Sequence, residues 1–366
     1  MFVSPDLTIE EVIYAYECCR KTKRSSESVV EFEINFSSNI MRIYNEVRNC
    51  TWKPQPHMCF VVENPKYREV WASTFADRVV HHICYNRLRP RFEQHWISTT
   101  FACIEGRGTG AASDWAEKSA RRVTQGWSQN AHVLQVDIKN FFPSIMREKL
   151  CELIQPRIYE HWLDYLVNEI INVDVKLNAH FPGDPSLLKL IPKFKSLWYA
   201  KDGIGLPIGN LTSQFGANVY LDILDQVIVR SGIVKFYGRY VDDIILMDQD
   251  IENLRAAYKM IVTELGKLGL KLHPDKTRCG PVRDGFDFCG RFILPHRTYL
   301  RKKTARRGRL AMKTLEGNPH KGETVTSYLA LARPCNSYNL RKNWAIEASK
   351  HKVVFMRNLT KARSIS

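Results

Sequence analysis

Residues 238–247, GRYVDDIILM, put two adjacent aspartates, Asp242 and Asp243, inside an otherwise apolar run. Charged side chains are seldom buried unless paired or bound to a metal, so this stretch constrains the fold more than any other. KFYGRY leads in and IILM leads out, the pattern of a β-hairpin with both acids at or near its turn. Asp is common in turns, and an isolated Asp-Asp pair there is ordinary. Val241, however, is a poor turn residue, and the flanks are unusually apolar. Two carboxylates this close repel each other in a low-dielectric setting, and a divalent cation relieves that cost.

A second acid sharpens the reading. In VLQVDIKNFFPSI, Asp137 ends an apolar, strand-like segment and is followed by Phe141 and Phe142. Alone, it too is an ordinary strand-end acid. Two-metal phosphoryl transfer needs carboxylates from separate strands converging on ions about 3.5–4 Å apart. Asp137 at a strand end and the acidic hairpin 105 residues further on meet that requirement.

Charge and composition set the class. The 366 residues suffice for two or three packed units, and 44% hydrophobic with 11% aromatic content belongs to a folded globular chain. A formal net charge of +16 favours a polyanionic partner such as nucleic acid. From residue 301 onward, 16 Lys or Arg face three acids (Glu316, Glu323, Glu347), so this tail alone carries +13. It reads as a module that grips phosphates. The ten cysteines show no CxxC pair and no zinc-like spacing, the usage expected of reduced thiols that fill a core. The N-terminus has no basic region followed by an apolar one, and no run approaches the ~18 apolar residues of a membrane span. A soluble, cytoplasmic protein with no membrane partner is expected.

Along the chain, helices are expected over 8–20, about 29–47, 76–90, 211–230 and about 250–268. Strand patterns fall at Met58–Val62, at 131–137, around the paired acids, and as two short strands near 286–300. Residues 145–200 read as a long, mainly helical insertion containing HFPGDP, and the basic tail reads as helical.

DIKNFF and YVDD, with GIGLPIGNLTSQFGAN (203–218) between them, resemble the palm motifs of a reverse transcriptase, and they occur in the family's order. The resemblance implies an α+β, right-hand polymerase fold. Fingers with an N-terminal helical segment would occupy 1–130. A palm of antiparallel sheet plus helices would occupy 131–295, including the insertion at about 145–200. A short, basic, helical thumb would occupy 296–366. Asp137, Asp242 and Asp243 would be the catalytic carboxylates. With the Ile138 carbonyl they would hold two Mg²⁺ ions, for which Mn²⁺ can substitute.

Other family segments extend the resemblance. NPKYREVWASTFADRVVHH (64–82) is similar to the fingers segment, whose cations, here Lys66 and Arg68, meet the incoming triphosphate; by itself it is a solvated basic turn. FACIEGRGTGAA (101–112) resembles the Gly-rich block near template and nucleotide. LGLKLHPDKT (268–277) resembles the palm segment carrying a lysine, here Lys276, that helps neutralise departing pyrophosphate. FDFCGRFI (286–293) resembles the strands that grip the primer end, near which Tyr240 and Val241 would also lie. Phe142, five residues after Asp137, would sit beneath the sugar and exclude a 2′-hydroxyl.

Ile208, Gly209 and Gln214 refine the resemblance. Most retroviral, retron and group II intron enzymes carry Gln-Gly, three residues, then Ser-Pro; here the block is IGNLTSQ. That variant resembles the reverse transcriptases of diversity-generating retroelements, bacterial and phage systems that mutagenise a target gene through error-prone cDNA. The implied partners are a structured template or non-coding RNA, the cDNA/RNA duplex, deoxynucleotides, and a small accessory protein or an oligomer. Antiphage-defence reverse transcriptases that act with a non-coding RNA share these palm motifs and stay open as an alternative. So do an untemplated nucleotidyl transferase and a non-catalytic RNA-binding protein.

Overall fold

The apolar run around the paired acids folds as a hairpin of β4 (Phe236–Tyr240) and β5 (Asp243–Asp248), paired antiparallel from Phe236 with Met247 to Tyr240 with Asp243. In this computed structural model, residues 6–355 and 362–364 are described, apart from Thr22, Ser25, Asn64 and Pro65. The four-stranded sheet runs in the order β4-β5-β3-β6, where β3 is His132–Asp137 and β6 is Arg278–Pro281. β3 and β6 pair antiparallel from His132 with Pro281 to Gln135 with Arg278. Earlier in the chain, β1 (Met58–Val62) and β2 (Arg68–Ala72) form a separate antiparallel hairpin.

The chain divides into two compact units, each drawn from three stretches. The first takes residues up to 98, then 137–230 and 259–274. Its helices follow from sequence periodicity and capping. Ile9–Arg20 starts on Thr8, whose hydroxyl accepts from the Glu11 amide while the Glu11 carboxylate accepts from the Thr8 amide. That helix packs on Phe75–Glu93, and the rings of Tyr16, Phe32 and Phe75 interlock at centroid separations of 5.1–6.2 Å. Leu211–Ser231 contributes the largest block of core, with Phe215, Tyr220, Leu221 and Leu224 buried.

Two segments of this unit depart from the periodicity reading. The single helix expected over 29–47 is two, Glu27–Ile34 and Phe36–Arg48, broken at Asn35, a residue that competes poorly for helix interiors. The insertion is helical only through Arg147–Ile154 and His161–Asn172. Beyond them, Pro182, Gly183, Pro185 and Pro192 permit only short 3₁₀ segments, at Pro185–Leu190, Lys193–Lys195 and Leu197–Tyr199.

The second unit takes 99–136, 231–258 and the chain from 275 onward. The helix Thr109–Val123 lays Ala112, Ala116 and Ala120 against Ile245, Met247 and Phe286; small residues every fourth position let it approach the sheet closely. Instead of two strands near 286–300 there are three, β7 (Phe286–Phe288), β8 (Arg291–Leu294) and β9 (Arg297–Leu300). Two tight turns make this possible, Cys289-Gly290 with both φ positive and a second with His296 at φ +62°. Three helices follow, Lys302–Lys313, Lys321–Ala332 and Tyr338–Ser349, around a core of Met312, Val325, Leu329 and Trp344. The expected helical tail ends instead in a strand pair, β10 (Val353–Phe355) with β11 (Ala362–Ser364). All ten cysteines are free thiols. Among the described residues no helix is long and apolar enough to cross a membrane.

Candidate active site

Asp137 closes β3 with its side chain almost fully buried, and its carbonyl accepts from the His273 amide at 2.7 Å. Pairing continues past the strand: Ile138 bridges Leu272, and the Lys139 amide donates to the Lys271 carbonyl at 2.8 Å. Asn140, at φ +51°, then turns the chain into the short helix Phe141–Ser144. Phe141 goes into the core and Phe142 stays half-buried, with ring centroids 5.5 Å apart.

The glycine-rich segment runs against this turn. Leu206 donates its amide to the Phe142 carbonyl at 2.9 Å, and Gly205 donates to Ile145 at 2.7 Å. Buried Arg147 ties the same place down, its guanidinium donating to the carbonyls of Gly205 and Val173. Three successive residues of the motif are then clamped by β2 and the residue just after it. The Ile208 carbonyl accepts from the Trp71 amide at 2.8 Å. Gly209, at φ +130°, approaches so closely that a Cβ there would lie 2.8 Å from the Trp71 carbonyl oxygen. Asn210 accepts from the Ser73 hydroxyl at 2.8 Å. Ile208 is half-buried, and Gln214 is exposed in the first turn of the long helix. Lys66 and Arg68 are exposed at the β1–β2 hairpin, and Arg68 opens β2. Asn64 and Pro65 of that segment lie outside the described residues.

A buried polar network beneath Asn210 escaped the sequence reading. Ser73 gives its single proton to Asn210, so His81 meets Ser73 Oγ as a donor through Nε2, at 3.3 Å. His81 Nδ1 then accepts from the Thr212 hydroxyl at 2.6 Å. His57 lies 3.1 Å from the same Ser73 oxygen. Burial lowers both imidazoles from an ordinary value near 6.5, His57 to about 4 and His81 to about 3, so both are neutral at pH 7. The signal available in the sequence was weak: two polar residues, Asn210 and Thr212, alternating into an apolar helix start.

In the second unit, the β4–β5 turn consists of Val241 and Asp242. Only Val241 of the two has a positive φ, +56°, the place where a type II′ hairpin favours glycine. The fully buried Arg239 donates from Nη1 to the Val241 carbonyl at 3.1 Å. Arg239 is itself held by backbone bonds: its amide donates to Thr99, and its carbonyl accepts from Phe101. Asp242 is half-buried and Asp243 exposed. Tyr240 is half-buried, and burial first, then the Cys289, Cys103 and Asp243 charges, raise its hydroxyl above the ordinary range. Lys276 is exposed in the turn Pro274–Lys276 that leads into β6.

Sheet order puts the strand ending on Asp137 next to the strand beginning on Asp243. The family model for reverse transcriptase, RNA-dependent DNA polymerase, matches residues 53–292, about two thirds of the 366. The chain belongs to the reverse transcriptase family. No curated protein matches it. The reverse transcriptase is an RNA-directed DNA polymerase, and its substrates are an RNA template and deoxynucleoside triphosphates. The matched span includes every site residue named above, from Lys66 to Lys276, whereas the first three helices and the last three lie outside it. Among the described residues no three His, Cys, Asp or Glu side chains form a cluster able to hold a metal. Carboxylate oxygens are nonetheless the donors a hard divalent ion takes, and Mg²⁺ is commonly held by only one or two of them plus substrate phosphates. Reverse transcriptases generally use divalent metal ions of this kind.

Proposed function

We propose that this reverse transcriptase makes error-prone cDNA from a cognate structured RNA, as part of a diversity-generating retroelement, by two-metal nucleotidyl transfer. The observation that carries the metal assignment is the sheet order, in which β3, ending on Asp137, neighbours β5, which follows Asp242 directly. Asp137 and Asp242 hold two Mg²⁺ ions, the Ile138 carbonyl is a further ligand, and Asp243 supports them. Such ions, when bound, acidify an attacking hydroxyl and neutralise charge on the reacting oxygens. Lys66 and Arg68 neutralise the triphosphate, with Lys276 beside the departing pyrophosphate. Phe142 meets the sugar and disfavours a 2′-hydroxyl; Tyr240 and Val241 meet the primer end. Fingers, palm and thumb correspond to 1–130, 131–295 and 296–366.

The diversifying role is supported by Ile208, which stands where most of the family carry glutamine. An alkyl side chain there removes a hydrogen-bonding group beside the nascent base pair, and Gly209 and Gln214 complete the variant motif. A small accessory protein and oligomerisation belong to this reading as partners.

Purified protein is given its native RNA and deoxynucleotides, beside Asp242→Ala. Template-dependent incorporation about 10²–10³-fold lower in the variant is expected, on the scale of losing a principal electrostatic contributor. Equal incorporation would sink the metal assignment. Sequencing the cDNA addresses the role: substitutions concentrated at template adenines support diversification, whereas long repetitive or untemplated products favour the defence alternative.

A further inference from the structure

The insertion carries an aromatic and basic surface that polymerase chemistry does not use. Residues 187–201, LLKLIPKFKSLWYAK, contain four lysines and no acid. Phe194 is 61% exposed and Tyr199 57% exposed, unusual for rings in a folded chain. Lysine and aromatic positions interleave: Lys193 Nζ lies 5.3 Å from the Tyr199 ring centroid, and Lys195 Nζ lies 5.6 Å from that of Phe194. Of the flanking acids, Asp202 pairs with Lys176 at 3.5 Å, while Asp184 is held by Ser186 and also feels the charge of Lys189.

This surface is fixed in place. Ile191, Ser196 and Leu197 are buried beneath the exposed rings. The buried Glu69 carboxylate of β2 accepts from the Ser196 hydroxyl at 2.7 Å, from the Leu197 amide, and from Trp71 Nε1 at 3.1 Å. Trp198 stacks on Trp71, centroids 5.9 Å apart and planes 14° from parallel. A backbone anchored this firmly carries Phe194 and Tyr199 on a fixed base, which lowers the ordering cost when a ligand stacks on them.

We propose that residues 187–201 form a platform for single-stranded RNA, with bases stacking on Phe194 and Tyr199 and phosphates meeting Lys189, Lys193, Lys195 and Lys201. Alternating cations and exposed π-faces match a single strand, whose bases are free to stack and whose backbone is anionic. A duplex offers no free base faces. A protein partner fits less well, because interface cores are depleted in lysine. The proposal rests on the family's RNA template and is independent of the metal assignment.

The test uses the full chain and a labelled, unstructured RNA of about twelve nucleotides, within the span such sites cover, beside an RNA duplex of equal length. Fluorescence anisotropy of F194A/Y199A should show single-strand affinity about ten-fold lower or more, with duplex affinity within two-fold of wild type. K193Q/K195Q should flatten the log–log salt dependence by about 1.4, for two phosphates. Both variants should extend a primer on a template with a two-nucleotide overhang at the wild-type rate, which keeps failure of the platform distinct from failure of the polymerase. Unchanged single-strand affinity in F194A/Y199A overturns the proposal, as does equal loss for strand and duplex. Conversion of a self-associating wild type to a monomer by F194A/Y199A, seen by sedimentation, would make the face a protein contact and overturn it too.

Discussion

Val241 holds a left-handed backbone conformation that costs a β-branched residue on the order of 1–3 kcal/mol. The Arg239 bond to its carbonyl is one of the contacts that hold the turn in place. Replacing Val241 with glycine removes the strain, so V241G should raise the unfolding free energy by about 1 kcal/mol. With Val241 at the primer end, as proposed above, the same change should also lower incorporation while the dNTP KM holds; denaturant titration and steady-state kinetics read the two effects separately. Gly209 is the opposite case. A methyl group there meets the Trp71 carbonyl at 2.8 Å and must keep φ at +130°, so G209A should destabilise by about 2–3 kcal/mol and raise the dNTP KM. A melting temperature equal to wild type would refute the clamp. The acids could be found in the sequence because charge in an apolar run is conspicuous. The reason for Gly209 could not, because its contact lies 138 positions away, at Trp71.

Among elements, the buried histidines couple β1, β2 and the long helix to proton concentration. Above pH 6.5 His57 and His81 are neutral whether folded or unfolded and contribute no pH dependence. Below it the unfolded chain takes protons that the folded one refuses, down to about pH 4 for His57 and about pH 3 for His81. Stability therefore falls as pH drops through this window, by about 1.4 kcal/mol per pH unit for each such histidine. Carboxylates held low by their partners, such as Glu160 beside Arg91, add their own loss only below about 4.5. The melting temperature should thus decline between pH 6.5 and 4.5 and decline less in His81→Gln; parallel slopes would refute the assignment. Elements with one dominant pattern were legible: β3 from alternation, the hairpin from its apolar arms, and the helices near 9–20, 211–231 and 251–267 from 3.6-residue spacing. Where breakers decide, periodicity misled. Asn35 splits a helix, and the turns at Cys289-Gly290 and His296 make three strands of an apparent two.

At the scale of the whole molecule, charge is the property the sequence displays most directly and the fold organises most simply. The helix Lys302–Lys313 carries six Lys or Arg and no acid, and it turns Gly308 and Met312 inward while Lys302, Lys303 and Arg306 face solvent. Its seat is tight, since a Cβ on Gly308 would lie 2.4 Å from the Trp344 ring. The last three helices lie outside the family match, and composition alone marked this region as a grip on phosphates. If it meets the primer–template duplex, each cation that neutralises a phosphate adds about 0.9 to the slope of log affinity against log salt. K302Q/K303Q/R306Q should therefore flatten that slope by about 2.7, with the largest loss of binding at low salt and convergence with wild type at high salt. G308A supplies the contrast: by displacing the helix from Trp344 it should weaken binding at every salt concentration and lower the melting temperature. A triple variant whose slope matched wild type would show that these cations face water rather than phosphate, and the basic tail would then need another partner.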